Sequence, residues 1–419
     1  MMRILLVNPP IFDFTASDFW LRPYGMARVA SRMRHVCEFV FFDYLRTVKK
    51  DAWGRGRFPE EIIPKPEVFS DIPRRFRRFG RQRAEFRTLL QARAFDVVFV
   101  QTSMTYWYPG IREVIEDVRE LQPSAKIVLG GVYATLCTDH AESLGADLVI
   151  KGSNLEPLWR ALSMQPSQGD CLIPGGNDDV GVLKLGEGCP FHCTYCAAPL
   201  MWNGFAPRDT GACLRELRLL IAAGAKDIAF YDDALLYRAD EVLKPFLESV
   251  VNERISARFH TPNALNARFM TPELAGLMTR AGFASFFFGL ESGAAAWQTA
   301  TGGKVNAGEF AAAVDCLRSA GTRYIAAYII AGHPDSETQS LEESMQFVHD
   351  CGAKIVLSEF SPIPGTEDGK KSAPWADMKE PLSHNKTAFA IRRLGADYLN
   401  RLKSLSRSLN HDMSMKYPG

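Results

Sequence analysis

The chain opens on an unbroken apolar run, "RILLVNPP", which stops at Asn8, Pro9 and Pro10 and reads as a buried strand entering a loop. "GMARVASRMRHV" follows with helical spacing, and "CEFVFFDY" and "FDVVFVQTS" read as further strands. In "IREVIEDVREL" the apolar positions Ile111, Val114, Ile115 and Val118 fall on one helical face. "AKIVLGG" and "ADLVIKG" close the series as two short strands ending in glycine. Nearly continuous apolar strands alternating with amphipathic helices predict a Rossmann-like, doubly wound parallel sheet covered on both faces. Such sheets take ligands beyond the carboxyl ends of their strands. Here those ends are Asn8, Ser103, Gly130 with Gly131, and Gly152.

"SMQPSQGDCLIPGGNDDVG" breaks the pattern with Ser, Pro, Gly and Asp and reads as a linker. The alternation then restarts in "GVLKLG", "DIAFYDDALL", "RFHTPNAL", "FASFFFGLES", "YIAAYIIAG" and "KIVLSEFSP", separated by helical patterns such as "PELAGLMTRAG". Six strand–helix units in succession predict a partial (β/α)6 barrel, with its site at the carboxyl ends of the strands. "AFAIRRLGADYLNRLKSL" predicts a short helical C-terminal tail. The expected α/β organisation is thus a first domain over 1–165, a linker over 166–180, a barrel over 181–366 and a helical extension over 367–419.

An insertion over 49–93 interrupts the first domain, and "PRRFRRFGRQRAEFR" within it interleaves arginines with Phe76, Phe79 and Phe86. Arginine among aromatics can serve nucleic acid or a phosphorylated ligand. The plainer expectation is a helix that docks its phenylalanines and leaves its arginines in water, so nucleic acid is not an expected partner. Charge agrees, with 49 Lys and Arg against 48 Asp and Glu. No apolar run reaches the roughly 18 residues that cross a bilayer, so no membrane partner is expected. The start "MMRILLVNPP" does not read as a signal peptide. The expected location is therefore cytoplasmic and reducing, where the nine cysteines are thiols or metal ligands. Cys37, Cys137, Cys171, Cys213, Cys316 and Cys351 are scattered singly, as small core residues are.

The other three gather in "GEGCPFHCTYCAAP" as Cys189, Cys193 and Cys196, directly after the first strand of the second domain. Three thiolates on one short loop can close round a metal at little entropic cost. Structural zinc takes four ligands, usually from paired knuckles. No second knuckle exists, and His192 is the nearest nitrogen. A 4Fe–4S cluster held by three cysteines keeps one iron open to another ligand.

This spacing on a barrel's first loop resembles the radical S-adenosylmethionine (radical SAM) superfamily, and the resemblance runs from about Gly181 to Thr366. It implies a 4Fe–4S cluster on the three cysteines and S-adenosylmethionine on the open iron. Tyr195 stands at the aromatic position packing near the adenine. In "FYDDALL", Tyr231, Asp232 and Asp233 are expected to border the methionyl group. In "FGLESG", Glu291 and Ser292 are expected to reach the ribose, and "IIAGHPDSET" places Gly332 near the adenine. "PIPGT" looks like the closing sixth-strand loop. The implied chemistry is reductive cleavage of S-adenosylmethionine to a 5′-deoxyadenosyl radical that takes hydrogen from an unactivated carbon. No general acid or base is legible.

A parallel-sheet domain before such a barrel resembles the cobalamin-binding domain of cobalamin-dependent members. The resemblance carries Asn8, Ser103, Gly130, Gly131, Tyr133 and Gly152 over to cobalamin, and Tyr106, Trp107 and Tyr108 to a corrin edge. The Asp-x-His-x-x-Gly motif that ligates cobalt in mutases is absent, and His35 and His140 stand in no such setting. Expected partners are a metabolite-sized substrate and an electron donor of the flavodoxin or ferredoxin kind. Methyl transfer is the leading reaction. Its rivals are a radical enzyme with an empty first domain that rearranges or cyclises its substrate, and a zinc-stabilised RNA-binding module.

Overall fold

The computed structural model describes residues 1–167 and 179–416, so most of the expected linker, with Cys171, lies outside the described residues. The chain divides into two units, Met1–Asp178 with Asp377–Asn385, and Asp179–Ala376 with Lys386–Gly419.

The first unit is built on five parallel strands: β1 (Met2–Asn8), β2 (Cys37–Asp43), β3 (Val97–Thr102), β4 (Lys126–Gly131) and β5 (Leu148–Ile150). Their order is β5-β4-β3-β1-β2, so the winding reverses between β1 and β3, where such sheets open a crevice for ligands. Ile4, Leu6, Phe99 and Val128 pack with Met26, Ala30, Met33 and Trp159. The alternate residues Leu5, Val7, Val98, Val100, Ile127 and Leu129 are equally buried, which is the two-sided burial that the unbroken apolar runs predict.

The insertion differs from the expected single helix. Arg77–Phe79 is the middle strand of a small antiparallel sheet with Ile11–Asp13 and Glu60–Ile62, and the helix begins only at Arg83. Phe69, Phe76, Phe79 and Phe86 are buried. Arg75 is exposed, but most of the other arginines are held by carboxylates rather than left free in water. Arg78 makes a bidentate pair with Glu113 at 2.9 and 2.7 Å, and Arg83 and Arg87 both bind the buried carboxylate of Asp117. Glu113 and Asp117 belong to the helix Tyr108–Leu121, while Arg77 pairs with Glu60 and Arg81 with Glu85, so carboxylates from three elements offset the basic run.

The second unit holds β6 (Val180–Leu183), β7 (Asp227–Phe230), β8 (Arg258–His260), β9 (Phe283–Glu291), β10 (Ile325–Ala331) and β11 (Lys354–Glu359). They pair in sequence order and all parallel, as a (β/α)6 barrel requires. Buried His260, the last residue of β8, bridges Asp227 and Ser285 at 2.8 Å each, tying β7, β8 and β9. Helices Lys386–Leu394 and Ala396–Lys416 belong to this unit. Gly332 explains part of their seating: at φ +87°, a Cβ there would lie 3.0 Å from the Cα of Ala390.

The stretch expected as one extension is shared between the units, because 377–385 joins the first. Asn385 donates to Asp13 at 2.8 Å and Tyr108 donates to Glu380 at 3.2 Å. His384 donates from Nε2 to the Met378 carbonyl at 3.3 Å, which leaves Nδ1 to accept from the Thr105 hydroxyl at 3.0 Å.

Candidate metal and cofactor site

β6 runs out at Leu183, and a short strand, Gly186–Gly188, then pairs antiparallel with Phe205–Pro207. The three cysteines lie in the loop that this hairpin closes. Gly188, at φ +77°, has no room for a Cβ, which would overlap the Gly204 carbonyl. Cys193 is buried, while Cys189 and Cys196 are half-buried and His192 is exposed. The backbone N–H of Cys196 donates to the Cys193 carbonyl at 3.0 Å, and that of Ala198 reaches the Cys196 Sγ at 3.4 Å.

Burial pushes all three thiols up, Cys196 to about 11, and the ammonium of Lys304 opposes the rise at each of them. Cys196 also feels the charges of Cys193 and Cys189, so the three thiols are electrostatic neighbours. Among the described residues, no three His, Cys, Asp or Glu side chains already converge as a metal site, so shared ligation requires the thiols to turn inward. The donor set fits an iron–sulfur cluster better than zinc: three soft thiols on one loop, a cation to offset thiolate charge, and an exposed His192.

The loop is clamped from behind. Thr194, between the second and third cysteines, donates to the buried carboxylate of Asp368. His333 Nδ1 accepts from Trp297 Nε1 at 3.3 Å and from the Asp335 N–H at 3.1 Å, so its Nε2 carries the proton that is donated to Asp368 at 2.9 Å. Tyr195 stacks on Trp297 with 5.7 Å between centroids and 22° between planes, and meets His333 edge-on.

The other expected cofactor residues take distinct roles. Asp232 is buried, and its Oδ1 accepts from the backbone N–H groups of Leu185 and Gly186 at 2.9 and 2.7 Å. Its Oδ2 has no hydrogen-bond partner, and burial lifts the carboxyl to about 7. Asp232 therefore braces the entry to the cysteine loop with one oxygen, while the other is left unmet. Tyr231 accepts at its carbonyl from Asn263 at 2.9 Å, and Asp233 pairs with Lys184 at 3.3 Å. Glu291 ends β9 at φ +66°, after a register shift, and pairs with Lys304 at 3.1 Å. Burial would discharge Lys304, but Glu291 and the nearby cysteines hold its pKa above the ordinary lysine value. The Ser292 hydroxyl accepts from the Ala294 N–H at 3.2 Å. Gly332 has the packing reason given above.

Sequence reasoning missed Lys304, Trp297, His333 and Asp368. Lys304 had a weak signal in "TGGK", two glycines that let a turn approach another backbone.

In the first unit, Asn8, Pro10, Gln101, Ser103, Trp107 and Ile111 line a narrow cleft at the β1/β3 reversal. Asn8 donates to Asp43 at 2.8 Å. Gly131, at φ +125°, faces the Thr102 carbonyl so closely that a Cβ would overlap it, whereas a Cβ on Gly130 would meet only Ile150 at 3.9 Å. Gly152, at φ +64°, donates to Thr135 at 3.0 Å. Tyr133 is buried with its hydroxyl 2.6 Å from His140 Nδ1. Tyr106 and Tyr108 are buried too, so of the three aromatics carried over to a corrin edge only Trp107 reaches the cleft. Of the residues carried over to cobalamin, Asn8 and Ser103 line this cleft, whereas Gly130, Gly131, Tyr133 and Gly152 lie outside its lining.

Residues 183–348 match the Radical SAM superfamily. The ribosomal protein uS12 methylthiotransferase RimO of Campylobacter jejuni is 24% identical over 222 residues, which cover 49% of this chain and 48% of that protein. An uncharacterized methyltransferase of Pyrococcus horikoshii is 24% identical over 194 residues, covering 44% of this chain and 40% of the other. The chain spans about half the length of the curated relatives it matches. Among solved structures, the radical SAM methyltransferase TsrM of Kitasatospora setae, with tryptophan and an S-adenosylmethionine analogue bound, aligns with TM-score 0.67 at 16% identity. The alignment covers 89% of this chain and 76% of TsrM. The cobalamin-dependent radical enzyme OxsB, with aqua-cobalamin and S-adenosylmethionine bound, aligns with TM-score 0.59 at 12% identity over 98% of this chain and 62% of its own. At such identities the likeness is one of fold. Residues 183–348 thus form a radical SAM domain.

Proposed function

We propose that the chain is a cobalamin-type radical SAM enzyme whose reaction is methyl transfer to an unactivated centre of a small molecule. The observation that carries this reading is the placement of Cys189, Cys193 and Cys196 together on the first strand-end loop of a radical SAM domain. A 2-1-3-4-5 parallel sheet in the same chain supports the cobalamin part, as does the fold shared with TsrM and OxsB.

Cys189, Cys193 and Cys196 would hold a 4Fe–4S cluster, which together with S-adenosylmethionine supplies a 5′-deoxyadenosyl radical when an external donor delivers an electron. The protein's own work is holding and shielding. Asp368 fixes the loop through Thr194, and Lys304 offsets thiolate charge. Asp232 offers an unmet oxygen to a donor such as an amino group. Tyr195, Trp297 and His333 form an aromatic wall suited to a flat base. Asn8, Ser103, Gly130, Gly131, Tyr133 and Gly152 would take cobalamin at the strand ends of the first unit.

Reconstitution under anaerobic conditions tests the reading. A brown chain with about four irons, lost in Cys193→Ala, and corrin absorbance retained after gel filtration with hydroxocobalamin are expected. Zinc in place of iron would reject the whole assignment. Iron without corrin would leave a radical enzyme of the rearranging or cyclising kind.

A further inference from the structure

The turn that carries Lys304 is docked on the cysteine loop by backbone contact. The Thr194 N–H donates to the Thr301 carbonyl at 3.3 Å. Gly302, at φ +110°, lies so close that a Cβ would be 3.2 Å from both the Cys193 Cα and the His192 carbonyl oxygen. At the other end of the lysine, β9 is shaped to receive it. Gly289 leaves space that a Cβ would take, 2.5 Å from the Lys304 Nζ and 2.6 Å from the Glu291 Oε1. The left-handed backbone of Glu291 turns that carboxylate to within 3.1 Å of the ammonium. Two glycines and one strained residue thus serve to set a single cation, 17% exposed at its side chain, on a turn docked against the cysteine loop.

We propose that Lys304 is a positioning charge that sets the reduction potential of the cluster held by Cys189, Cys193 and Cys196, with Glu291 as its counterweight. The proposal rests on the iron–sulfur reading above. Reduction adds one electron, and so one negative charge, to the cluster. A fixed positive charge nearby in a site of low dielectric favours the reduced form, and a fixed negative charge opposes it. The pair is placed to act with opposite signs.

The test is an anaerobic dithionite titration of the reconstituted full-length chain, followed by the electron paramagnetic resonance signal of the reduced cluster. Lys304→Met should move the midpoint to a more negative potential, Lys304→Arg should keep it near that of the unaltered chain, and Glu291→Gln should move it to a more positive potential. Unchanged midpoints in both Lys304→Met and Glu291→Gln, at full iron content, would overturn the proposal. If Lys304→Met takes up no iron, the opposite displacement expected of Glu291→Gln, with retention in Lys304→Arg, still decides. Failure of the unaltered chain to take up iron would reject the cluster reading itself, a distinguishable outcome.

Discussion

Thr194 and Asp368 grip each other twice: the threonine hydroxyl donates to the aspartate carboxylate, and the aspartate N–H donates to the threonine carbonyl at 3.1 Å. One partner stands between two cluster cysteines and the other opens the helix Glu367–Lys371. Asp368→Ala strands the donors of Thr194 and His333 inside the protein. The loss should be about 3 kcal/mol of unfolding free energy, read by urea denaturation, with reduced iron retention after gel filtration. Iron retention equal to that of the unaltered chain would show that the clamp does not serve the cysteine loop.

The same carboxylate sets an acid limit on stability. Burial alone would raise its pKa, but hydrogen bonds from His333, Thr194 and Lys371 outweigh it and hold the carboxyl at about 2. A folded value below the unfolded one gives stability that is full above pH ~4 and is lost as pH falls toward 2. Its size is about 2–3 kcal/mol. Asp368→Asn should flatten that limb of the pH–stability curve.

His384 in the first unit acts at milder pH. Burial holds it at about 4 and thus neutral, against about 6.5 in an unfolded chain. The unfolded state binds more protons between those values, so stability is complete above pH ~6.5 and falls by about 3 kcal/mol by pH 4. Comparing urea midpoints of the unaltered chain and His384→Gln at pH 7.5 and pH 5 should give a smaller difference in the variant.

The adjacent glycines of β4 separate stability from ligand binding. Gly131→Ala must push a Cβ into the Thr102 carbonyl at a left-handed backbone and should cost about 3 kcal/mol or more. Gly130→Ala has 3.9 Å to Ile150 and should fold normally. Weakened hydroxocobalamin retention in Gly130→Ala, with an unchanged melting temperature, is the outcome expected if that face receives the cofactor. Unchanged retention would remove Gly130 from the site.

The insertion makes a sharper claim about charge. Asp117, wholly buried, binds Arg83 and Arg87. Asp117→Ala should destabilise by about 3 kcal/mol and, by removing one carboxylate while Glu116 still pairs with Arg83 and Glu120 with Arg87, raise retention on heparin slightly. Equal retention would mean that Glu116 and Glu120 keep both guanidinium groups occupied without Asp117.

Both parallel sheets were legible because each strand is an apolar run of the length such sheets bury, as "RILLVN" and "FASFFFGLE" show. Local spacing also marked the cysteines. What stayed hidden depends on partners distant in sequence. Arg77–Phe79 becomes a strand only because Ile11–Asp13 and Glu60–Ile62 flank it. Tyr106 and Tyr108 read as ligand-facing aromatics, yet Tyr108 meets Glu380, a residue 272 positions away. Lys304 and Asp368 are ordinary charged residues until the fold brings them to the cysteine loop.

The return of residues 377–385 to the first unit changes how the protein can be taken apart. The polypeptide passes from one unit to the other three times, so a single proteolytic nick between 167 and 179 releases neither half. A gene fragment ending at 178 would make a first unit without Glu380, His384 and Asn385, leaving Tyr108, Thr105 and Asp13 to find water in their place. Supplying 377–385 in trans as a peptide should restore protease resistance to such a fragment.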